Sequence, residues 1–121
     1  FYLQYAYARI CNIIRHGECQ NYKFSDDFDA TLLNQSSEIK LLKLMSNFPT
    51  MMETALGTLE PQIIANYLQE LASSFHKFYG NCKVITEDKN ISQARLGLIN
   101  GTKIILSTGL SILGISAPEK M

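Results

Sequence analysis

The sequence predicts an all-α fold, a bundle of about five helices. Apolar residues recur at the helical period in each long segment, and no stretch alternates apolar and polar residues long enough to indicate a strand. Pro49 and Pro61 stand where a first-turn proline starts a helix, and Gly17 and Gly114 stand where a glycine ends one. These three observations together predict an all-helical bundle.

Length and charge limit the range of functions. The 121 residues and an apolar content of 46% are sufficient for one core, so a single domain is expected over residues 1–121. Eleven Lys and Arg balance eleven Asp and Glu, which excludes a general attraction to nucleic acid or to an anionic membrane. Phe1 lies inside a helical pattern with no initiator methionine before it, so the chain is expected to be a fragment of a longer protein.

The cysteines and the apolar runs indicate the compartment. Three cysteines are an odd number, and nothing resembles a signal peptide, so a cytoplasmic protein is expected. The longest apolar run, about residues 104–115, is shorter than the ~20 residues that span a bilayer. The sequence therefore predicts no membrane segment.

The first helix is predicted over about residues 2–16, with Gly17 as its cap and a long loop with one short turn over 18–36. Its apolar stripe consists of Leu3, Ala6, Tyr7, Ile10, Ile13 and Ile14. A second stripe on its flank is polar and aromatic and consists of Tyr2, Tyr5, Arg9, Asn12 and His16. The first stripe is predicted to lie in the core, and the second is a candidate surface.

Two short helices are predicted next, as a tight pair. The first starts near Ser37 and turns Leu41, Leu42, Met45 and Phe48 inward. The second starts at Pro49, ends by Glu60 and turns Met52, Ala55, Leu56 and Leu59 inward.

Pro61 is predicted to open the longest helix, which ends near Cys82. Its inner stripe consists of Ile64, Leu68, Leu71, Phe75, Phe78 and Cys82. Tyr67 and Tyr79 are predicted on its two edges, and His76 and Lys83 lie on the edge of Tyr79.

The last helix is predicted over about residues 91–113, with Gly114 as its cap and Pro118 as its stop. Its buried residues are predicted to be Leu98, Thr102, Ile105, Leu106, Gly109, Ile112 and Leu113. Gly97 and Gly101 are expected to let a neighbouring backbone approach closely.

The sequence predicts no catalytic residue and no metal site in this chain. His16 and His76 are sixty residues apart, and no phosphate loop, nucleophile elbow or close carboxylate pair occurs. Cys11, His16 and Cys19 match no common zinc spacing, so two ordinary thiols and a helix-end histidine are predicted.

The two polar aromatic edges allow two interpretations. Tyrosines beside a guanidinium on one helical face can stack unpaired bases, at ~1 to 3 kcal/mol per base. Alternatively, Tyr2 and Tyr5 close the rim of the core with their hydroxyls in water. Composition alone favours the second interpretation.

Four segments, taken in order, resemble a known family: YLQYAYARI (2–10), TLEPQIIANYLQELASSFHKFY (58–79), ARLGLI (94–99) and GLSILGISAPEKM (109–121). They are similar to the C-terminal anticodon-binding domain of arginyl-tRNA synthetase, the helical domain called DALR. Cysteinyl-tRNA synthetase has a related domain, but the opening YLQYAYAR and the terminal methionine favour the arginine enzyme. The four-residue motif that gives the domain its name is imperfect here, since Ser92-Gln93-Ala94-Arg95 stands in its place. Ala94 and Arg95 are predicted to pack between helices.

The resemblance implies a monomeric class I ligase whose catalytic domain precedes Phe1 and attaches arginine to tRNA with ATP and Mg²⁺. It implies no cofactor in the present domain, which is expected to bind the anticodon loop of tRNA-Arg and to recognise its middle cytosine. The implied pocket has six residues: Tyr2, Tyr5, Arg15, Tyr79, Lys83 and Met121.

Two members of this pocket carry particular expectations. Arg15 lies on a different side of the first helix than Tyr5, so it is as suited to a phosphate as to a base. Pro118 is expected to turn the tail across the bundle, so that the Met121 thioether lies against a base and an extension is not tolerated. Without RNA, Met121 is expected to pack on the rim near Tyr79. The alternative function is a protein-interaction bundle without RNA specificity, which presents its aromatic rim to another helix.

Overall fold

The structure, a computed structural model, describes residues 2–20, 22 and 29–120. In this part of the chain it contains no strand. Its elements are α1 (Tyr2–Cys19), a 3-10 helix (Ala30–Leu32), α2 (Ser36–Ser46), α3 (Phe48–Thr58), α4 (Pro61–Asn81) and α5 (Lys89–Ile112). The predicted all-α bundle of about five helices is therefore confirmed.

Helix α4 is the centre of the bundle and packs against all four other α-helices. Its predicted inner stripe is confirmed, since Leu68, Leu71, Phe75 and Phe78 are completely buried. Across from this stripe, Ile10 of α1 is also fully buried, in the same core. Burial of such side chains contributes about 1.5 to 3 kcal/mol each, so α4 organises most of the core.

One charged pair joins three segments inside the bundle. Glu38 of α2 is completely buried, and its Oε1 accepts a hydrogen bond from the backbone N–H of Gln35 at 3.0 Å. Its Oε2 accepts from Nε of Arg95 in α5 at 2.8 Å. Arg95 Nη1 also donates to the backbone carbonyl of Lys83 at 2.7 Å. The predicted packing role of Ala94 and Arg95 is confirmed, because Ala94 is fully buried as well.

The first helix is longer than predicted. Gly17 does not cap α1 but lies inside it. A Cβ at this position would approach Ile85 Cδ1 to 3.1 Å. The missing side chain leaves room for Ile85, and α1 continues to Cys19. Helix α5, with 24 residues, is longer than α4, with 21. Asp88 explains its early start, since its carboxylate accepts from the N–H groups of Asn90 and Ile91.

Three predicted inward residues are exposed: Leu56, Leu59 and Ile112. In α3 the buried stripe contains Met51 and Ala55, and Leu59 follows the helix in a left-handed conformation that turns it away from this stripe. At the end of α5 the core side is taken by Leu110 and by Leu113, which packs against the core.

Two further predictions differ in detail. Tyr67 is buried rather than at an edge, and its hydroxyl donates to the carbonyl of Leu44 at 2.6 Å. Burial, with the nearby Glu70 charge, raises the pKa of Tyr67 to about 12. The neighbour of Gly101 is the Met45 methyl group, 2.5 Å from where a Cβ would lie, and not a backbone.

The C-terminal tail lies along α1. Gly114, at φ +76°, turns the chain after α5, so the helix ends at Ile112, six residues before Pro118, and not because of it. Gln4 Nε2 then donates to the carbonyl of Ser116 at 2.9 Å, and Arg15 Nη2 to that of Glu119 at 3.4 Å. The tail therefore contacts α1 at both ends of that helix, and the turn that was predicted at Pro118 occurs at Gly114. None of the described helices is long and apolar enough to cross a membrane.

We expect Glu38→Ala to lower the free energy of unfolding by about 3 to 5 kcal/mol, because the substitution leaves Arg95 without its carboxylate. Urea denaturation measures this change. Lys43→Ala, an exposed position on the same helix, is the control and should change stability by no more than about 0.5 kcal/mol. A loss for Glu38→Ala as small as that of the control would contradict the structural role of the pair.

Candidate functional site

The two polar aromatic edges predicted from the sequence lie side by side, where α1 packs against α4. Arg9 of α1 places its guanidinium carbon 4.8 Å from the ring centroid of Tyr79 and 6.0 Å from that of Tyr5. These distances are in the range of cation–π contacts. Arg9 therefore connects the two edges into one surface, which we call the aromatic cluster; its members are Tyr2, Tyr5, Arg9, His76 and Tyr79.

His76 occupies the middle of the aromatic cluster. Its ring centroid lies 5.4 Å from that of Tyr2 and 6.2 Å from that of Tyr5. On the core side, Phe75 lies 5.2 Å from His76 and is stacked on Tyr79 at 6.1 Å with an interplanar angle of 13°. Because Phe75 is completely buried, the exposed rings rest on the rigid core.

The protonation state of His76 follows from its surroundings. Burial lowers the pKa of His76, and the positive charge of Arg9 lowers this pKa further. Both effects favour the neutral ring, which packs among the tyrosines beside the Arg9 guanidinium.

An open cleft of about 930 Å³ adjoins the aromatic cluster. One wall is formed by Arg9, Asn12 and His16 of α1, and the other by Tyr79 and the segment 80–85 after α4. Lys83 lies in this second wall, and its backbone carbonyl accepts a hydrogen bond from Arg95. The cleft thus has aromatic, cationic and hydrogen-bonding groups along one continuous surface.

Arg15 lies outside the aromatic cluster. Its Nη2 donates to Asn12 Oδ1 and to the carbonyl of Glu119, and its Nη1 is 4.0 Å from Glu119 Oε2. The structure therefore places Arg15 with the C-terminal tail, on a different side of α1 than Tyr5. Met121 lies outside the described residues, so its predicted contact stays a prediction.

The family model described as the DALR anticodon binding domain matches residues 3–121. The chain belongs to the DALR anticodon-binding domain family. It is 40% identical over 121 residues to an arginine–tRNA ligase of Salinibacter ruber and 43% identical over 122 residues to one of Listeria welshimeri, with all of this chain covered. The chain spans 22% of the length of these two curated relatives.

A solved structure also resembles this DALR domain. Arginyl-tRNA synthetase of Thermus thermophilus matches with a TM-score of 0.83 and 30% identity, over 99% of this chain and 21% of that chain. The bundle described above therefore has the same fold as the matching part of that arginyl-tRNA synthetase.

The pocket implied by the sequence omits two residues that the DALR bundle places at the centre. Arg9 follows Tyr5 by one helical turn, so the stripe spacing on α1 was a sufficient signal to include it. His76 precedes Tyr79 by three residues and lies on the same edge of α4. Neither spacing alone indicates that the two edges meet, which depends on how α1 packs against α4.

The cysteines and histidines were weighed as metal ligands in the sequence. Cys11 and Cys82 are buried, and Cys19 is exposed. Among the residues that the structure describes, no group of three or more His, Cys, Asp or Glu is placed to hold a metal ion. His16 Nε2 instead lies 3.0 Å from Gln20 Nε2 at the end of α1.

We expect His76 to make the DALR domain less stable as the pH falls from about 7 to about 5. Its pKa is lowered in the folded state, so the unfolded chain takes up a proton first and stability is lost below the ordinary pKa. Unfolding midpoints of wild type and His76→Gln at both pH values measure this effect, and the variant should lose less stability. Equal losses in the two proteins would contradict the prediction.

Proposed function

We propose that this domain binds the anticodon loop of tRNA-Arg as the C-terminal part of an arginine–tRNA ligase. The observation that carries the proposal is the Arg9 guanidinium between the rings of Tyr5 and Tyr79, at the mouth of the cleft. Rings of this kind stack unpaired bases, and a guanidinium beside them neutralises the accompanying phosphate.

Membership of the DALR family and the arginine–tRNA ligases among its relatives support this proposal. The longer protein is proposed to be a monomeric cytoplasmic enzyme. Its catalytic domain, outside the present chain, is proposed to activate arginine with ATP and Mg²⁺ and to attach it to tRNA. The present domain contributes binding and positioning of the tRNA.

The residues in and beside the cleft are proposed to have different roles in binding. Tyr2 and Tyr5, which are exposed beside the cleft, and Tyr79, in its wall, are proposed to supply rings for stacking. Arg9 and Lys83 supply positive charge to a chain whose net charge is zero. Arg15 is suited to a backbone phosphate, which would compete with Glu119 for its guanidinium. Met121 is proposed to complete the pocket around the base.

We expect Tyr79→Ala in the full-length enzyme to weaken binding of an arginine anticodon stem-loop by ~1 to 3 kcal/mol, because a base loses its stacking surface. A fluorescence titration with the matched and with a scrambled loop measures the effect. Leu59→Ala is the control, since Leu59 is 83% exposed and precedes α4 at the end opposite Tyr79.

Two outcomes of this titration would contradict the proposal. One is an affinity that Tyr79→Ala leaves unchanged. The other is wild-type binding that is weak, strongly salt-dependent and equal for both loops, which would favour the protein-interaction bundle.

We also expect Met121→Ala, or a tag added after Met121, to weaken binding of the same stem-loop by ~1 to 3 kcal/mol, since the thioether is proposed to lie against a base. The same titration measures this loss. Lys120→Ala serves as a control for changes in the tail that leave Met121 in place. Full affinity in both altered proteins would remove Met121 from the proposed pocket.

A further inference from the structure

A second pocket lies between the start of α2 and the last turns of α4, on the flank of α4 opposite Tyr79. Its volume is about 210 Å³, and it is lined by Ser36, Ser37, Lys40, Ser74, Lys77 and Asn81. A water molecule occupies about 30 Å³ in the liquid, so a tetrahedral oxyanion fits with space to spare. We propose that this pocket, which we call the α2–α4 pocket, binds a phosphate group.

Ser74 is the first observation that points to a ligand. The residue is 5% exposed, and its Oγ has no hydrogen-bond partner in the described part of the chain. An unpartnered buried hydroxyl costs about 1 to 3 kcal/mol, and native structures keep few of them. Ser74 lines the pocket, so we infer that an oxyanion bound there is the missing partner of this hydroxyl.

The start of α2 supplies the second observation. Helix α2 has 11 residues, and Ser36 and Ser37 are its first two. Within the described residues their backbone N–H groups make no hydrogen bond, as is usual in a first turn. Free N–H groups and the positive end of the helix dipole favour an anion, and the Ser36 hydroxyl adds a further donor. The Ser37 hydroxyl lies 3.6 Å from Cys82 Sγ.

Charge completes the site. Lys40 extends from the second turn of α2 and Lys77 from α4, and both side chains are exposed at the pocket. Neither forms a salt bridge within the described residues. Helices α2 and α4 each carry one carboxylate. That of Glu38 is engaged by Arg95, and that of Glu70, one turn before Ser74, lies outside this lining, in a neighbouring groove that also includes Lys40. The lining therefore carries two positive charges and no negative charge.

The position of the pocket suggests the source of the phosphate. Asn81, the last residue of α4, lines both the α2–α4 pocket and the cleft beside the aromatic cluster. A strand of RNA that binds in the cleft and passes the end of α4 reaches the second pocket with its backbone. This assignment of the source rests on the proposed function, whereas binding of a phosphate group does not. A free phosphate or a small phosphorylated molecule would present the same chemistry.

The first experiment tests the site without RNA. In the full-length protein, amide NMR signals of Ser36 and Ser37 are followed during titration with inorganic phosphate, against chloride at equal ionic strength. We expect saturable shifts, and an apparent Kd that rises about tenfold in Lys77→Gln and in Ser74→Ala. Lys43→Gln is the matched control, because it removes the same charge from α2 outside the lining. Shifts that are absent in wild type, or equal in all four proteins, would overturn the proposal.

The second experiment distinguishes the sources. Binding of the arginine anticodon stem-loop to wild type, Lys77→Gln and Lys43→Gln is measured over a range of salt concentrations. If the phosphate belongs to RNA, log K falls less steeply with log salt in Lys77→Gln alone, and the magnitude of the slope decreases by about 0.7 to 0.9. An unchanged slope together with weaker phosphate binding assigns the pocket to a free phosphate. Absence of any RNA binding in wild type would contradict the proposed function and leave the first experiment to decide the site.

Discussion

The hydrogen bonds of the buried Glu38 carboxylate connect the segments that border the cleft and the α2–α4 pocket. This carboxylate fixes the start of α2 through Gln35 and orients Arg95, which in turn holds the carbonyl of Lys83 in the cleft wall. A buried pair of this kind contributes little net stability, but loss of one partner leaves a charge in the interior. The pair therefore determines the position of both pockets at the end of α4, because each is bounded by a segment that it anchors.

Helix α4 separates the two surfaces and supports both. Its inner face packs into the core through Phe75 and Phe78, so the helix is not free to shift when a ligand binds at either edge. Tyr79 and His76 occupy one edge, and Ser74 and Lys77 occupy the other. A neutral chain can thus present two local sites for an anionic ligand, one with aromatic rings and one with hydroxyls and amines.

Helical periodicity predicted most of the fold, since the wide apolar stripe of α4 marks a buried central helix whatever its neighbours are. The prediction failed at Gly17. Glycine is a common helix cap, but this glycine lies inside α1 and packs against Ile85. The two edges of the candidate site were predictable from spacing, whereas the contact of Arg9 with Tyr79 depends on helix packing. Burial of Glu38 was not predictable, because an acidic residue in a first turn is ordinarily an exposed partner of the helix dipole.

The path of the C-terminal tail restricts how a ligand can approach α1. Helices α4 and α5 cover α1 on the core side, and the tail covers the side that carries Gln4 and Arg15. From Tyr2 to His16, the exposed residues of α1 are Tyr2, Tyr5, Asn12 and His16. They form a single narrow strip about 21 Å long, at 1.5 Å per residue. A ligand that contacts the whole strip lies lengthwise along the helix axis, as an extended strand can and a compact molecule cannot.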